Sequence, residues 1–220
     1  MKKIIYTLAL ASTVLFSACE DALDTSSYTK ANTGNYPSTL THAKQLLAGV
    51  YNNLNEATNA CQESFFYLSE LASDDQLGGG GANDKLMQAM DLLCNYQENM
   101  TGDFWKTRYK GIYRANEVIE SLPKLSVFDS DDQKNQMIGE AYFLRAFYYY
   151  ELASMYENVP LITSTATGNQ NVPQAAVDST WGQIAQDLKT AINMMPNKKV
   201  TASWVEDGHV DKWCAEAMMG

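Results

Sequence analysis

Cys19 has the setting in this 220-residue chain that most directly implies covalent chemistry. It ends the stretch MKKIIYTLALASTVLFSAC, in which Lys2 and Lys3 precede an apolar run from Ile4 to Phe16, and Ser17 and Ala18 stand just before the cysteine. A basic head, a short apolar middle and small residues at the cleavage point make a secretory signal, too short for a stable membrane span. A cysteine directly after the small residues matches the site where a bacterial lipoprotein signal is cut and the thiol is diacylated. Acylation turns a soluble domain into an anchored one. The lipoprotein pattern prefers Leu three residues before the cysteine; here that position is Phe16, with Leu15 one earlier. The plain alternative is an ordinary secretory signal with an incidental Cys19.

The other residue types able to do chemistry are poorly arranged for it. Asp74, Asp75 and Asp84 lie in a glycine-rich stretch and read as a solvated loop, not as an acid/base pair. His42 and His209 both fall near expected helix starts. No HExxH, GxSxG or phosphate-binding motif is present, and the run Gly78 to Gly81 lacks the Lys-Ser/Thr of a phosphate loop. No catalytic residue, metal or cofactor is therefore expected. Cys61, Cys94 and Cys214 allow one disulfide with a leftover thiol, in three possible pairings, or three unpaired small side chains. The net charge is −10, and removing residues 1–18 takes away Lys2 and Lys3 and leaves −12. An acidic surface repels phosphate backbones, which argues against nucleic acid as a partner.

The elements that would position these residues are helical. Residues 24–37 are polar and turn-rich, as in a tether, with Glu20, Asp21 and Asp24 giving it an acidic start. A first helix begins after Ser38 or Thr39, with Leu40, Ala43, Leu47, Val50 and Leu54 as its apolar stripe. Residues 68–83 (LSELASDDQLGGGGAN) read as a loop, because four consecutive glycines hold no regular element. Residues 85–96 are helix-compatible. The next helix carries Trp105, Tyr109, Ile112, Tyr113, Asn116 and Ile119 on one face and stops at Pro123. Asp129 to Asp132 suits the start of a helix that ends before Pro160. Residues 163–172 form a loop. Asp178 or Ser179 then caps a helix with Trp181, Ile184, Leu188, Ala191 and Met195 as its stripe and Pro196 as its stop. A last helix starts near His209, and its apolar pattern is under way when the chain stops, so the chain looks cut. No alternating run argues for a sheet. The helix pairs resemble tetratricopeptide units, which stack and bury each face against a neighbour.

The stretch from Tyr142 to Tyr156 holds seven aromatic residues and a lone Arg145. On a wheel of about 100° per residue its apolar side chains occupy every face, which predicts a helix buried nearly all round. Ala141, Ala146, Ala153 and Ser154 predict close helix approach. A buried guanidinium must be paired or stacked, so Arg145 is expected in a structural ion pair or on a tyrosine ring. Asn116, on an apolar face, is expected to hold a neighbouring backbone.

This stretch also resembles a known family. EAYFLRAFYYYELASMYENVPL, from Glu140 to Leu161, is similar to the signature helix of SusD/RagB outer-membrane lipoproteins of Bacteroidetes, which bind nutrients for import. Glu140, Ala141, Phe143, Leu144, Arg145, Ala146, Tyr149, Leu152, Tyr156, Val159, Pro160 and Leu161 carry the match, without gaps. CEDALD, SELASDD, FWKTRYKGIYRANEVIES, IAQDLKTAINMMP and HVDKWCAEAMMG agree in order. The resemblance implies an all-α fold of stacked, tetratricopeptide-like helix pairs with long irregular loops. It implies a lipid anchor at Cys19, an outer-membrane location facing the exterior, an oligosaccharide or other nutrient as ligand, and a TonB-dependent, SusC-like transporter as partner. It makes Asn116, Glu140, Arg145, Tyr149 and Pro160 the structural signature, and puts ligand contacts on the loop holding Asp74, Asp75, Gln76 and Asn83. Two departures stand out. Glu157 replaces the family's glycine after Tyr156, and the loop DDQLGGGGAND offers no aromatic residue to stack on a sugar. Family members are also longer. The expected organisation is a signal peptide over 1–18, an acylated tether over 19–38 and an incomplete helical domain over 39–220. A helix-repeat scaffold for protein partners on the cell envelope is the competing reading.

Overall fold

The computed structural model describes residues 36–59, 64–79, 81, 83, 85–92, 101–167, 171–197 and 208–220. Cys19, Cys61 and Cys94 lie outside these residues, and with them the signal, tether, acylation and disulfide expectations. Residues 37–220 form one compact helical unit. Its helices are α1 (Leu40–Asn59), α2 (Phe65–Leu71), α3 (Lys85–Asp91), α4 (Thr101–Ser121), α5 (Asp131–Tyr156), α6 (Val177–Met194) and α7 (Lys212–Met219). No β-strand occurs among the described residues beyond an isolated bridge between Pro160 and Gln174. None of the described helices is long and apolar enough to cross a membrane.

Local chemistry sets the helix ends. The hydroxyl of Ser130 accepts the Gln133 amide at 3.1 Å, and Asp131 and Asp132 in the first turn of α5 oppose the helix dipole. The Asp211 carboxylate accepts the Cys214 amide at 3.0 Å and starts α7. Pro123 ends α4 through a 3-10 turn. At α6 the expected cap is displaced: the N-cap is Ala176, without a side-chain bond, so Asp178 lies in the first turn, where its charge meets the helix dipole. Residues 68–71 belong to α2, not to a loop, because Leu68 and Leu71 are buried in the core and hold that turn together.

The packing follows a linear order. α1 lies on α4, α4 on α5, α5 on α6 and α6 on α7, so successive helices stack as tetratricopeptide-like pairs. α5 occupies the middle and is buried on nearly every side, as its aromatic content predicts; Tyr148, Tyr149, Leu144 and Leu152 are fully buried. Burying each such side chain contributes roughly 1.5–3 kcal/mol. Close approach of α4 and α5 depends on Gly111, where an added Cβ would stand 2.5 Å from the Tyr148 ring. Two expected core residues face outward: Tyr113 on α4 and Trp181 on α6 are 47% and 40% exposed. The inward face of α4 runs instead through Phe104, Arg108, Ile112, Ala115 and Asn116, so the expected stripe is rotated. Trp181 follows the buried Thr180 but lies at the rim, where its ring meets the half-exposed Tyr150 of α5 edge-on. The last helix has a partner: Ala215 is buried against the array, while Trp213 and Met219 remain 44% and 40% exposed.

Candidate functional site

Three of the buried polar clusters among the described residues involve α5, and the signature residues sit in two of them. In the first, α5 presents Arg145 (4% exposed) to Asp187 of α6 (1% exposed) in a fork: Nε donates to Oδ2 at 2.8 Å and Nη2 to Oδ1 at 2.7 Å. Nη1 donates to Asn116 Oδ1 of α4 at 2.7 Å and to the Thr163 carbonyl at 3.3 Å. Gln183 adds a donor to Asp187 at 2.8 Å, and the guanidinium carbon stands 5.3 Å from the Tyr142 ring centroid. One cation thus ties three helices together, with both members of the pair satisfied as burial requires.

The same cluster holds the segment after α5 in place. Asn116 Nδ2 donates to the Ile162 carbonyl at 3.0 Å, and the Tyr109 hydroxyl donates to the Pro160 carbonyl at 2.8 Å. The Tyr149 hydroxyl accepts the Ile162 amide at 2.7 Å and donates to the Ile162 carbonyl at 3.1 Å. Burial pushes the Tyr149 phenol up to about 12, with Arg145 and the Ile162 backbone pulling the other way, so it stays a neutral donor. Glu120 accepts the Thr165 amide at 2.9 Å and the Thr165 hydroxyl. Desolvation raises its carboxyl, but the bonds from Thr165 and Ser164 outweigh that and hold it below the usual range. Asn116, Arg145 and Tyr149 therefore hold backbone, and Pro160 supplies part of the backbone they hold.

The second cluster surrounds Glu140, 2% exposed. It accepts the Tyr51 hydroxyl at 2.8 Å and Gln136 Nε2 at 2.9 Å, and His209 Nδ1 lies 2.8 Å from Oε2. The third pairs Arg108 of α4 with Glu151 of α5, with Arg108 lying 4.5 Å over the Phe104 ring. Burial raises the Glu151 carboxyl and Arg108 opposes the shift. Sequence reasoning missed Asp187, Arg108 and Glu151. The available signal was a charge standing on an apolar stripe, as Asp187 does between Ile184 and Leu188.

The outward groups are different in kind. Asp74, Asp75, Gln76 and Asn83 are all exposed on the stretch between α2 and α3. The near end of that stretch is tied down by the Ser73 hydroxyl, which donates to the Glu70 carbonyl at 2.7 Å. Gly78 lies so close to α3 that a Cβ would stand 2.6 Å from the Met87 carbonyl oxygen. Tyr150 of α5, 39% exposed, meets Trp181 edge-on with ring centroids 5.9 Å apart, and Phe65 stands 6.4 Å from Tyr150. Among the described residues no group of three or more His, Cys, Asp and Glu is arranged to hold a metal ion.

Comparison with known proteins agrees with the resemblance in the sequence. A SusD-like family model, described as starch-binding associating with the outer membrane, matches residues 21–219. A curated SusD-like protein of Formosa agariphila is 26% identical over 193 residues, covering 84% of this chain and 36% of the relative. A solved laminarin-binding SusD-like protein is 28% identical with a TM-score of 0.70, covering 83% of this chain and 39% of that one. A SusD homologue from Bacteroides thetaiotaomicron is 26% identical with a TM-score of 0.67, covering 87% and 37%. The chain thus spans little more than a third of each of these relatives, and it belongs to the SusD-like family.

Proposed function

We propose that this SusD-like chain is the helical, glycan-binding part of an outer-membrane lipoprotein that passes oligosaccharide to a TonB-dependent, SusC-like transporter. The observation that carries the reading is the family match over residues 21–219, to proteins described as starch-binding and associating with the outer membrane. Similarity to a laminarin-binding protein over most of the chain supports a neutral glycan as the ligand class. Binding of this kind needs no covalent step, no metal and no cofactor.

In this reading Tyr150 and Trp181 offer half-exposed rings to the apolar C–H face of a sugar. Asp74, Asp75, Gln76 and Asn83 offer donors and acceptors for hydroxyls. The outward rings supply the aromatic surface that the glycine loop lacks. Cys19 is cut, acylated and set in the outer membrane with the helical unit facing the exterior. More than one acyl chain is needed there, because a single chain gives only marginal residence.

The test is affinity electrophoresis and calorimetry of the folded chain with laminarin and starch oligosaccharides. Binding to either glycan, weakened about tenfold by Trp181→Ala, corresponds to a loss of about 1.4 kcal/mol, and the melting temperature stays that of the parent. A folded chain that binds neither glycan but captures a helical protein partner would favour the scaffold reading, for which exposed aromatic residues are also suitable anchors. Cys19→Ala releases the protein from the membrane fraction; unchanged detergent partition would remove the lipoprotein claim.

A further inference from the structure

The segment entering α7 brings an imidazole against α1 and α5. The His209 ring stacks on Tyr51 of α1, with centroids 4.3 Å apart and planes 29° apart, while its Nδ1 lies 2.8 Å from Glu140 Oε2 of α5. The next residue is pinned by the same groups. The Val210 amide donates to the Tyr51 hydroxyl at 3.0 Å, and Gln136 Nε2 donates to the Val210 carbonyl at 2.9 Å. We propose that the His209–Glu140 contact is a proton-dependent latch that docks the α7 segment onto the helical array.

Three physical points carry this. First, Ala215 of α7 is fully buried, so docking of the segment covers apolar surface. Second, the carboxylate of Glu140 is almost fully buried, and its hydroxyl and amide partners are neutral. Tyr51 stays protonated, because burial first and then Glu140 push its phenol far up. Protonated at both ring nitrogens, His209 places a cation 2.8 Å from that carboxylate. Third, the His209 side chain is 20% exposed, so protons reach it. Among the described residues Tyr51 from α1 and Glu140 from α5 face the ring. Neutral Gln136 of α5 bonds Glu140 and lies 3.7 Å from the Met195 thioether after α6, and the segment itself carries Asp211, whose carboxylate accepts the Cys214 amide.

The sign follows from linkage. An imidazole that gains a carboxylate on docking is protonated more readily when docked. The latch is then fully engaged below the ordinary histidine value of about 6.5 and weakens as pH rises through the higher, docked value. Each unit between the two values is about tenfold in the docking equilibrium.

Hydrogen exchange on the full chain tests it. Protection of α7 amides, corrected for intrinsic rates and referred to α4, should fall about tenfold from pH 6 to pH 8.5 in the parent. His209→Gln should abolish that fall, and His209→Arg should keep α7 protected at both pH values. The same pH trend in the parent and in His209→Gln overturns the proposal. Should His209→Gln not fold, the parent's imidazole is titrated by NMR, with His42→Gln assigning the remaining resonance. A midpoint above about 6.5 supports the latch, and one at or below it overturns the latch.

Discussion

Removing Arg145 should unfold much of the array, and the size of the effect follows from what it leaves behind. Arg145→Ala deletes both bonds to Asp187, at 2.8 and 2.7 Å, and the bond to Asn116 at 2.7 Å. Asp187, 1% exposed, then carries a charge with no cation beside it. Breaking a buried pair from one side costs about 3–5 kcal/mol. For a domain of this size each kcal/mol moves the melting temperature by about 2–4 °C, so a fall of roughly 6–20 °C is expected. Part of that loss is the stranded carboxylate and not the pair itself. Arg145→Met combined with Asp187→Leu should therefore melt above either single variant, even though Asn116 Oδ1 is left with one donor fewer. Circular dichroism melts of Arg145→Ala, Arg145→Met, Asp187→Leu and the double variant decide it. A melting temperature for Arg145→Ala within about 2 °C of the parent would refute the reasoning, since it would mean that the fork is not part of the folding unit.

Other substitutions probe separate features. Gly111→Ala places a Cβ against the buried Tyr148 ring and should cost about 1–3 kcal/mol by overpacking, read as a lower denaturant midpoint. Glu157 ends α5 at φ 57° and ψ −79°, a conformation that side chains other than glycine rarely adopt. Glu157→Gly should therefore raise stability by about 0.5–1 kcal/mol, unless the freedom glycine adds to the unfolded chain cancels the gain. The Glu120 carboxyl is held low by Thr165 and Ser164, so its contribution is present above the ordinary carboxylate range and lost as pH falls through the depressed value. Proteolysis of residues 163–167 should accelerate with acid in the parent, and Glu120→Gln should flatten that dependence.

The helix order was legible because punctuation and period agreed. Ser130, Pro123 and Pro196 sit at real boundaries, and the stripe of α1 buries Ala43, Leu47 and Val50 as its spacing requires. Burial of α5 was legible from the absence of a polar face. Partner identity was not: Arg145 finds Asp187 42 residues away on another helix, and no local pattern encodes that distance. A face is hard to read from sequence where a side chain has the right period but lies at the rim of the contact, as Trp181 does against the half-exposed Tyr150. Leu68 to Leu71 were assigned to a loop because the glycine run beyond them coloured the whole window.

The inward direction of the signature residues bears on where recognition can occur. Asn116, Tyr109 and Tyr149 hold the backbone of Pro160 and Ile162, and Arg145 reaches Thr163 beside them. A polar group committed to buried backbone cannot also meet a ligand without leaving a donor or acceptor unpaired, at about 1–3 kcal/mol. These residues therefore fix the path of the chain, and substitutions in them read out as stability. Tyr150 and Trp181 carry the opposite signature: half-exposed rings that touch each other but fill no cavity in the core. A side chain whose removal opens no cavity can be changed without unfolding the array, which is the condition for separating binding from stability. The same aromatic run thus divides into Tyr148 and Tyr149, which build the array, and Tyr150, whose half-exposed ring lies at its surface.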